Sequence, residues 1–248
     1  MTVAIVLLIN LRSSRQQTNS PQISSINVIN LDRDIKRWNS MYAQGKNLGL
    51  TLNRFSAIYG KDIPYEKMRS LGIGNSMVRS NRQDSKNEKL NNLGVVGCYL
   101  SHRTLLEQLS THDALASHGH LILEDDILLP SDFLQKNGRW GLLSKRIPED
   151  WDIIFLRMWK PDGVIIAPGV MKLRSDPNKR TNLGAFAYIV RHGSIRSKIL
   201  PWLDYMIDAY DEHLNLRFNS WNVYLLHPGI VDINDDLQKD SSINAINL

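Results

Sequence analysis

The stretch "HLILEDDILLP", residues 120–130, decides how this chain reads. Leu121, Ile122 and Leu123 suit a strand entering a core, and Ile127, Leu128 and Leu129 repeat the pattern. Between them stand Glu124, Asp125 and Asp126. Carboxylates are rarely buried unless paired or bound to a metal. If residues 120–129 form one strand, positions i and i+2 share a face. Glu124 and Asp126 then project together and Asp125 points the other way. At the carboxyl end of a parallel strand, such a pair reaches the crevice where α/β folds take ligands. Two hard oxygens there suit Mg²⁺ or Mn²⁺, with water and substrate phosphate completing the shell. The alternative is a strand end turning into solvent, its acids merely hydrated.

Outward from this stretch the chain alternates strand and helix. "INVINL", residues 26–31, is β-branched and short, as a strand is. Residues 32–50 set Ile35, Trp38, Met41, Tyr42 and Leu48 at helical spacing and close at Gly49. "TLNRFSAI", residues 51–58, returns as a strand. Strand, helix, strand in that order begins a parallel α/β sheet. Further on, the pattern predicts a helix over 95–119 with Leu100, Leu105, Leu106, Leu109 and Leu115 on its apolar face. A Ser-capped helix over 131–147, interrupted near Gly138, and a strand over 151–159 follow. A hairpin over 163–173 and a strand over 184–190 come next, then a helical segment over 194–214 broken near Pro201, and a last strand over 221–228. The fold class is α/β, one Rossmann-type domain on a mixed, mainly parallel sheet. Residues 61–93 are polar, with Gly72 and Gly74, and read as a long loop with a short helix over 65–71. Loops of that length are often functional, and a lid ordered by ligand is the expectation here.

The chain has 248 residues, 42% hydrophobic and 22% charged, enough to bury a core without staples. Its single cysteine, Cys98, excludes a disulfide within the chain and a cysteine-rich zinc site. Cys98 itself reads as a small core residue rather than a nucleophile. The net charge of +5 is spread along the chain, which describes a solvated surface. Phosphate-bearing ligands or peripheral contact with an anionic membrane are the second reading. Without zinc-finger spacing or an RNP-type aromatic strand, nucleic acid is not an expected partner. Residues 3–11 form an apolar run shorter than the roughly 20 residues that span a bilayer. It reads as a strand, with a trimmed membrane anchor as the alternative. The organisation expected is an N-terminal strand and polar linker over 1–25 and one domain over 26–248. One cysteine is compatible with a cytoplasmic or peripheral membrane location, the secretory-pathway lumen being the alternative.

"INVINLDRDIKRW", "NRFSAIYGKDI", "GVVGCYLSHRTLLE", "HLILEDDILL", "WDIIFL" and "GAFAYIVRHGSI" occur in that order. Together they resemble glycosyltransferase family 25, which includes lipooligosaccharide and collagen galactosyltransferases. The likeness spans roughly residues 26 to 230. It implies a GT-A-like fold, a nucleotide-sugar donor such as UDP-galactose, Mn²⁺ or Mg²⁺, and inversion at the anomeric carbon. The acceptor would be a glycan, lipid-linked or protein hydroxyl. In this resemblance Asp126 is the metal ligand, with Glu124 supporting it. Glu124 or Asp125 would otherwise touch the donor ribose. Asn30, Leu31 and Arg33 lie near the nucleotide. Arg37, one turn beyond Arg33, shares its face or else belongs to a solvated helix start. Ser101 and His102 face the donor, or His102 is structural. Asp208 is the base that takes the acceptor proton, with Asp204 its alternative one turn earlier. Asp211 and Glu212 read as helix-surface charge. Rival functions are a metal-dependent nucleotidyl- or phosphotransferase, and a non-catalytic module that binds glycan or protein.

Overall fold

Burial on both faces marks a central strand, and β1 (Ile23–Asn30) is buried from Ile26 onward. In the computed structural model the described residues are 20–64, 66, 68 and 88–238, the side chains of 88–92 and 238 excepted. The apolar run at 3–11 and residues 69–87 of the expected loop and lid fall outside them, as does the short helix expected over 65–71 apart from residues 66 and 68, which are helical, while residues 88–93 of that expected loop are helix instead. After β1 come α1 (Ile35–Asn47), β2 (Asn53–Ser56), α2 (Glu88–Leu109) and β3 (Gly119–Glu124). Then follow β4 (Ile127–Leu128), α3 (Arg139–Leu143), β5 (Ile153–Trp159), the hairpin β6 (Gly163–Ala167) with β7 (Val170–Leu173), and β8 (Leu183–Arg191). A helical stretch runs from α4 (His192–Ser194) through a π segment, Ile195–Ile199, into α5 (Leu200–Trp202). The last described elements are α6 (Tyr210–Asn215), β9 (Val223–Leu226), β10 (Asp232–Ile233) and α7 (Asp235–Gln238). Among the described residues no helix is long and apolar enough to cross a membrane.

Eight strands form one sheet in the order β2-β1-β3-β8-β5-β9-β7-β6. Period-two alternation divides its side chains between two cores. Leu121, Leu123 and Val28 pack on one face with Met41 of α1 and Trp140 of α3. Ile122 and Ile29 pack on the other with Leu105, Leu106 and Leu109 of α2 and Tyr210 of α6. The result is helix, sheet, helix in three layers. Leu121, Ile122 and Leu123 are fully buried, each contributing about 1.5–3 kcal/mol. That anchorage offsets the cost of carrying carboxylates at the end of the same strand.

The expectation of a mainly parallel sheet holds for strand direction and not for pairing. β1 pairs parallel with β2 and β3, and β5 with β9. β8 lies antiparallel between β3 and β5, and β7 lies antiparallel between β9 and β6. Each reversed strand thus makes two antiparallel ladders. The strand expected over 120–129 is also cut short. β3 ends at Glu124, Asp125 and Asp126 form a turn, and β4 leaves to pair with β10 in a separate two-stranded sheet. The helix expected over 95–119 stops at Leu109, which leaves Leu115 65% exposed.

The helical segment expected over 194–214 breaks after α5 rather than at Pro201, which sits in the first turn of α5, where its missing N–H costs little. Asp204 and Asp208 therefore lie in the non-helical stretch between α5 and α6.

Candidate functional site

From β1 the chain passes to β2 on one side and returns to β3 on the other. β1 and β3 therefore flank a topological switch point, and their carboxyl ends border a crevice. The crevice encloses about 630 Å³ of non-atom space, open solvent included. Leu31 and Arg37 line it from the β1–α1 side, Ser101 and His102 from α2, Glu124 from the end of β3, and Asp125 and Asp126 from the turn that follows. Seven of the residues singled out in the sequence thus meet in one place.

The turn at Asp125–Asp126 changes the geometry read from strand alternation. Asp125 does not point away from its neighbours. Arg37 reaches both turn residues, Nε to Asp125 Oδ1 at 3.0 Å and an Nη to Asp126 Oδ2 at 2.9 Å. Its side chain is only 13% exposed, which overturns the solvated helix start as a reading of Arg37. Asn30 is buried and does not line the crevice. Its amide donates to Asp125 Oδ2 at 2.6 Å, and its carbonyl accepts from Arg54 Nε at 2.8 Å. Asn30 therefore holds Asp125 in place. Arg33 is about half exposed and lies over the Tyr59 ring, 3.9 Å from its centroid. Tyr59 lines the crevice, and the Arg33 guanidinium holds its phenol below the usual range.

Two glycines let the loop after β2 lie against α2. A Cβ on Gly97 would stand 2.6 Å from the Ile58 carbonyl, and one on Gly60 would overlap the Leu93 carbonyl. Ser101 fastens the same contact. Its hydroxyl accepts from Ile58 N–H at 2.8 Å and donates to the Gly97 carbonyl at 2.6 Å. Ser101 lines the crevice, but its hydrogen bonds go to protein. His102 is fully buried, with Nδ1 2.9 Å from Tyr188 Oη and its ring stacked on Tyr210. Burial lowers its pKa to about 3, so the ring is neutral.

Charge is out of balance in the crevice. Burial first, then the charges of Asp125 and Asp211, raise Glu124 to about 7. Burial raises Asp125 to about 6, against the pull of Arg37. Burial and the Glu124 charge raise Asp126 to about 6. Asp126 Oδ1 is buried without a partner. Three carboxylates facing one guanidinium, with an orphaned oxygen among them, fit a divalent cation.

Neither Asp204 nor Asp208 is among the residues lining the crevice. Asp204 is exposed and pairs with Arg103 at 3.4 Å. Asp208 is half-buried and its Oδ1 accepts the Ala209 N–H at 2.8 Å. Burial first, then a hydrogen bond with Glu212, raises it to about 6. Just before Asp208, Met206 is buried and Ile207 is half exposed. Asp211 is not the surface charge it was read as. Its Oδ2 accepts the Gly184 N–H at 2.5 Å, and its charge acts on Glu124, His102 and Cys98. Cys98 lines the crevice instead of the core, and its spacing of four from His102 was the sequence signal available. Tyr59 carried no such signal.

Fold and site together define an α/β protein with an acid-lined crevice at the switch point of its sheet. The chain matches the model of glycosyltransferase family 25, described as an LPS biosynthesis protein family, over residues 23–160, and it belongs to that family. The match runs from β1 through β5, and so includes every strand that borders the crevice. The chain is similar to a "Glycosyltransferase 25 family member" of Anopheles gambiae, 27% identical over 206 residues, 80% of this chain and 33% of that protein. A protein of the same description from Aedes aegypti is 29% identical over 133 residues, 54% of this chain and 21% of that protein. The chain thus spans a fifth to a third of the length of these relatives.

Proposed function

We propose that this chain is an inverting glycosyltransferase of GT-A type that moves a hexose, galactose in the first instance, from a UDP-sugar to an acceptor hydroxyl on a glycan, lipid-linked or protein substrate. The observation that carries the proposal is the acid-lined crevice at the β1–β3 switch point, with its uncompensated carboxylates and the orphaned Asp126 Oδ1. Family membership supports the sugar-nucleotide donor.

In this reading Asp126, with Glu124, holds Mn²⁺ or Mg²⁺. The cation supplies charge to offset the diphosphate as it departs. Leu31 and Arg33, with Tyr59 under the guanidinium, border the nucleotide. Arg37, held by Asp125, keeps a fixed positive charge at the crevice wall. Asn30 positions Asp125, while Ser101 and His102 shape the α2 wall. Asp208 takes the proton of the acceptor hydroxyl. A carboxyl raised to about 6 is a better-matched base near neutral pH than an ordinary aspartate. Inversion is one displacement from the face opposite the diphosphate, so no covalent sugar–enzyme intermediate forms.

Calorimetric titration of UDP with and without Mn²⁺ tests the reading. Wild type is expected to bind in a metal-dependent way, and Asp126→Ala to lose that dependence while melting as wild type does. Unchanged metal-dependent affinity in Asp126→Ala would remove Asp126 from the role. A donor-hydrolysis assay releasing free sugar separates glycosyl transfer from nucleotidyl transfer.

A further inference from the structure

Cys98 and His102 are spaced i, i+4 on α2, so their side chains stand over one another on the crevice wall. Glu124 faces them from the end of β3. One ligand atom from each of the three lies within 4.8 Å of the other two. His102 is 0% exposed, and its Nε2 is buried with no hydrogen-bond partner. Glu124 Oε1 stands 3.6 Å from that nitrogen. This is too long for a hydrogen bond. It is close to the roughly 3.3 Å that separates two ligands of a tetrahedral ion bound at about 2.0–2.1 Å.

We infer that Cys98, His102 and Glu124 form a binding site for a thiophilic divalent cation of the Zn²⁺ class, with its fourth position open to the crevice. Three protein ligands and one open position is the arrangement of reactive zinc sites rather than closed structural ones. A thiolate and an imidazole prefer Zn²⁺ to Mg²⁺ or Mn²⁺. The site shares Glu124 with the all-oxygen position at Asp126 but differs from it in its sulfur and nitrogen ligands, and it does not depend on the sugar-nucleotide reading.

The surroundings of His102 supply the orienting partners that ligating histidines have. Nδ1 lies 2.9 Å from Tyr188 Oη, and Tyr188 Oη lies 2.9 Å from Tyr210 Oη. The site uses the tautomer with the proton on Nδ1, donated to Tyr188, whose own hydrogen passes to Tyr210. The Nε2 lone pair then faces Cys98 and Glu124. Binding requires the thiolate, so the ion displaces the Cys98 proton to solvent. The side chains close by about an ångström at most to reach tetrahedral spacing, and the long Glu124 side chain is the one free to move.

Co²⁺ titration of the full chain tests the site, since Co²⁺ takes such positions and its spectrum reports its ligands. Wild type is expected to develop a near-ultraviolet thiolate-to-cobalt band with strong visible bands, all bleached by Zn²⁺. Cys98→Ser is expected to lose the near-ultraviolet band, and Asp126→Asn to keep it. Tyr188→Phe leaves all three ligands and is expected to weaken Co²⁺ binding about 10–100-fold. Cys98 is the chain's only cysteine, so thiol labelling gives a second reading that needs no variant: Zn²⁺ is expected to slow it. Co²⁺ binding without the thiolate band, a band that survives Cys98→Ser, or labelling indifferent to Zn²⁺ would each overturn the site. A protein that shows the band but does not bind UDP keeps this site and loses the donor reading.

Discussion

The two ends of the main sheet treat buried carboxylates in opposite ways. At the amino end of β5, Asp152 is 2% exposed and fully partnered. Ser194 Oγ donates to it at 2.6 Å, Lys198 Nζ to both oxygens at 2.8 Å, and Asn222 N–H at 2.9 Å. Burial alone would raise its pKa, yet the hydrogen bonds from Lys198, Ser194 and Asn222 hold it below the usual range. At the carboxyl end of β3, Asp126 is 5% exposed and raised to about 6, with one oxygen unpartnered. The difference separates a carboxylate that the fold uses from one that the fold tolerates. Tolerated charge costs stability, and a ligand is what repays it.

The sharpest way to break that contrast is at the proposed base. Asp208 shares the raised pKa of the crevice acids, though it stands outside the lining. Asp208→Asn is expected to keep UDP binding and lose transfer by about 10²–10⁴-fold. The wild-type rate should fall as pH drops below about 6, where Asp208 takes up a proton. A transferase assay against pH, with a UDP titration on the same preparation, reads both. Transfer at the wild-type rate in Asp208→Asn would place the base elsewhere.

Asp152 should show the converse, a loss of stability without loss of binding. Asp152→Ala leaves Lys198, Ser194 Oγ and the Asn222 N–H without their acceptor. Because Lys198 retains 41% exposure, its charge can reach water, and the cost is expected at about 2–3 kcal/mol rather than more. Urea denaturation measures it. A larger destabilisation from Asp126→Ala than from Asp152→Ala would reverse the contrast.

The amino end also carries a histidine cluster. His120 is 1% exposed, with Nδ1 2.8 Å from Ser25 Oγ and Nε2 3.0 Å from His192 Nδ1. Burial, then the charges of His192, His112 and His118, lower it from 6.5 to about 4. Between those values the unfolded chain binds the proton more tightly, so stability rises with pH. The contribution is full above about 6.5 and is lost as pH falls toward about 4. Allowing for solvent screening, about 1–3 kcal/mol is at stake. Denaturation at pH 7 and pH 4.5 on wild type and His120→Gln is expected to show a smaller difference in the variant. Equal differences would remove His120 from the account.

Much of this was legible in the sequence because period and composition are local. Leu121, Ile122 and Leu123 announced a buried strand, and the acids after them the end of it that borders the crevice. The turn at Asp125–Asp126 was not legible, since alternation reads on through acids. It is Arg37 and Asn30, distant in sequence, that tie Asp125 down, with Arg37 also holding Asp126. Arg37 itself resembled any solvated helix start, because nothing on α1 reports what lies opposite. The reversed β8 was equally hidden: a strand's composition does not state its direction. Asp211 was misread because a charged residue on a short helix looks the same whether it faces solvent or the Gly184 amide.

Asp204 gives the smallest expected effect and the finest test of register. It lies four residues before Asp208, so an alignment slipped by four residues would exchange their roles. The structure holds Asp204 against Arg103 at 3.4 Å, and its side chain is 59% exposed. Arg103 also pairs with Glu107 at 3.1 Å, so it keeps a partner when Asp204 is neutralised. Exposed pairs of this kind contribute about 0.2–1 kcal/mol. Asp204→Asn is therefore expected to shift the melting temperature slightly and to leave transfer within a few-fold of wild type. If it abolishes transfer while Asp208→Asn does not, Asp204 is the base, and its pairing with Arg103 must open when the acceptor binds.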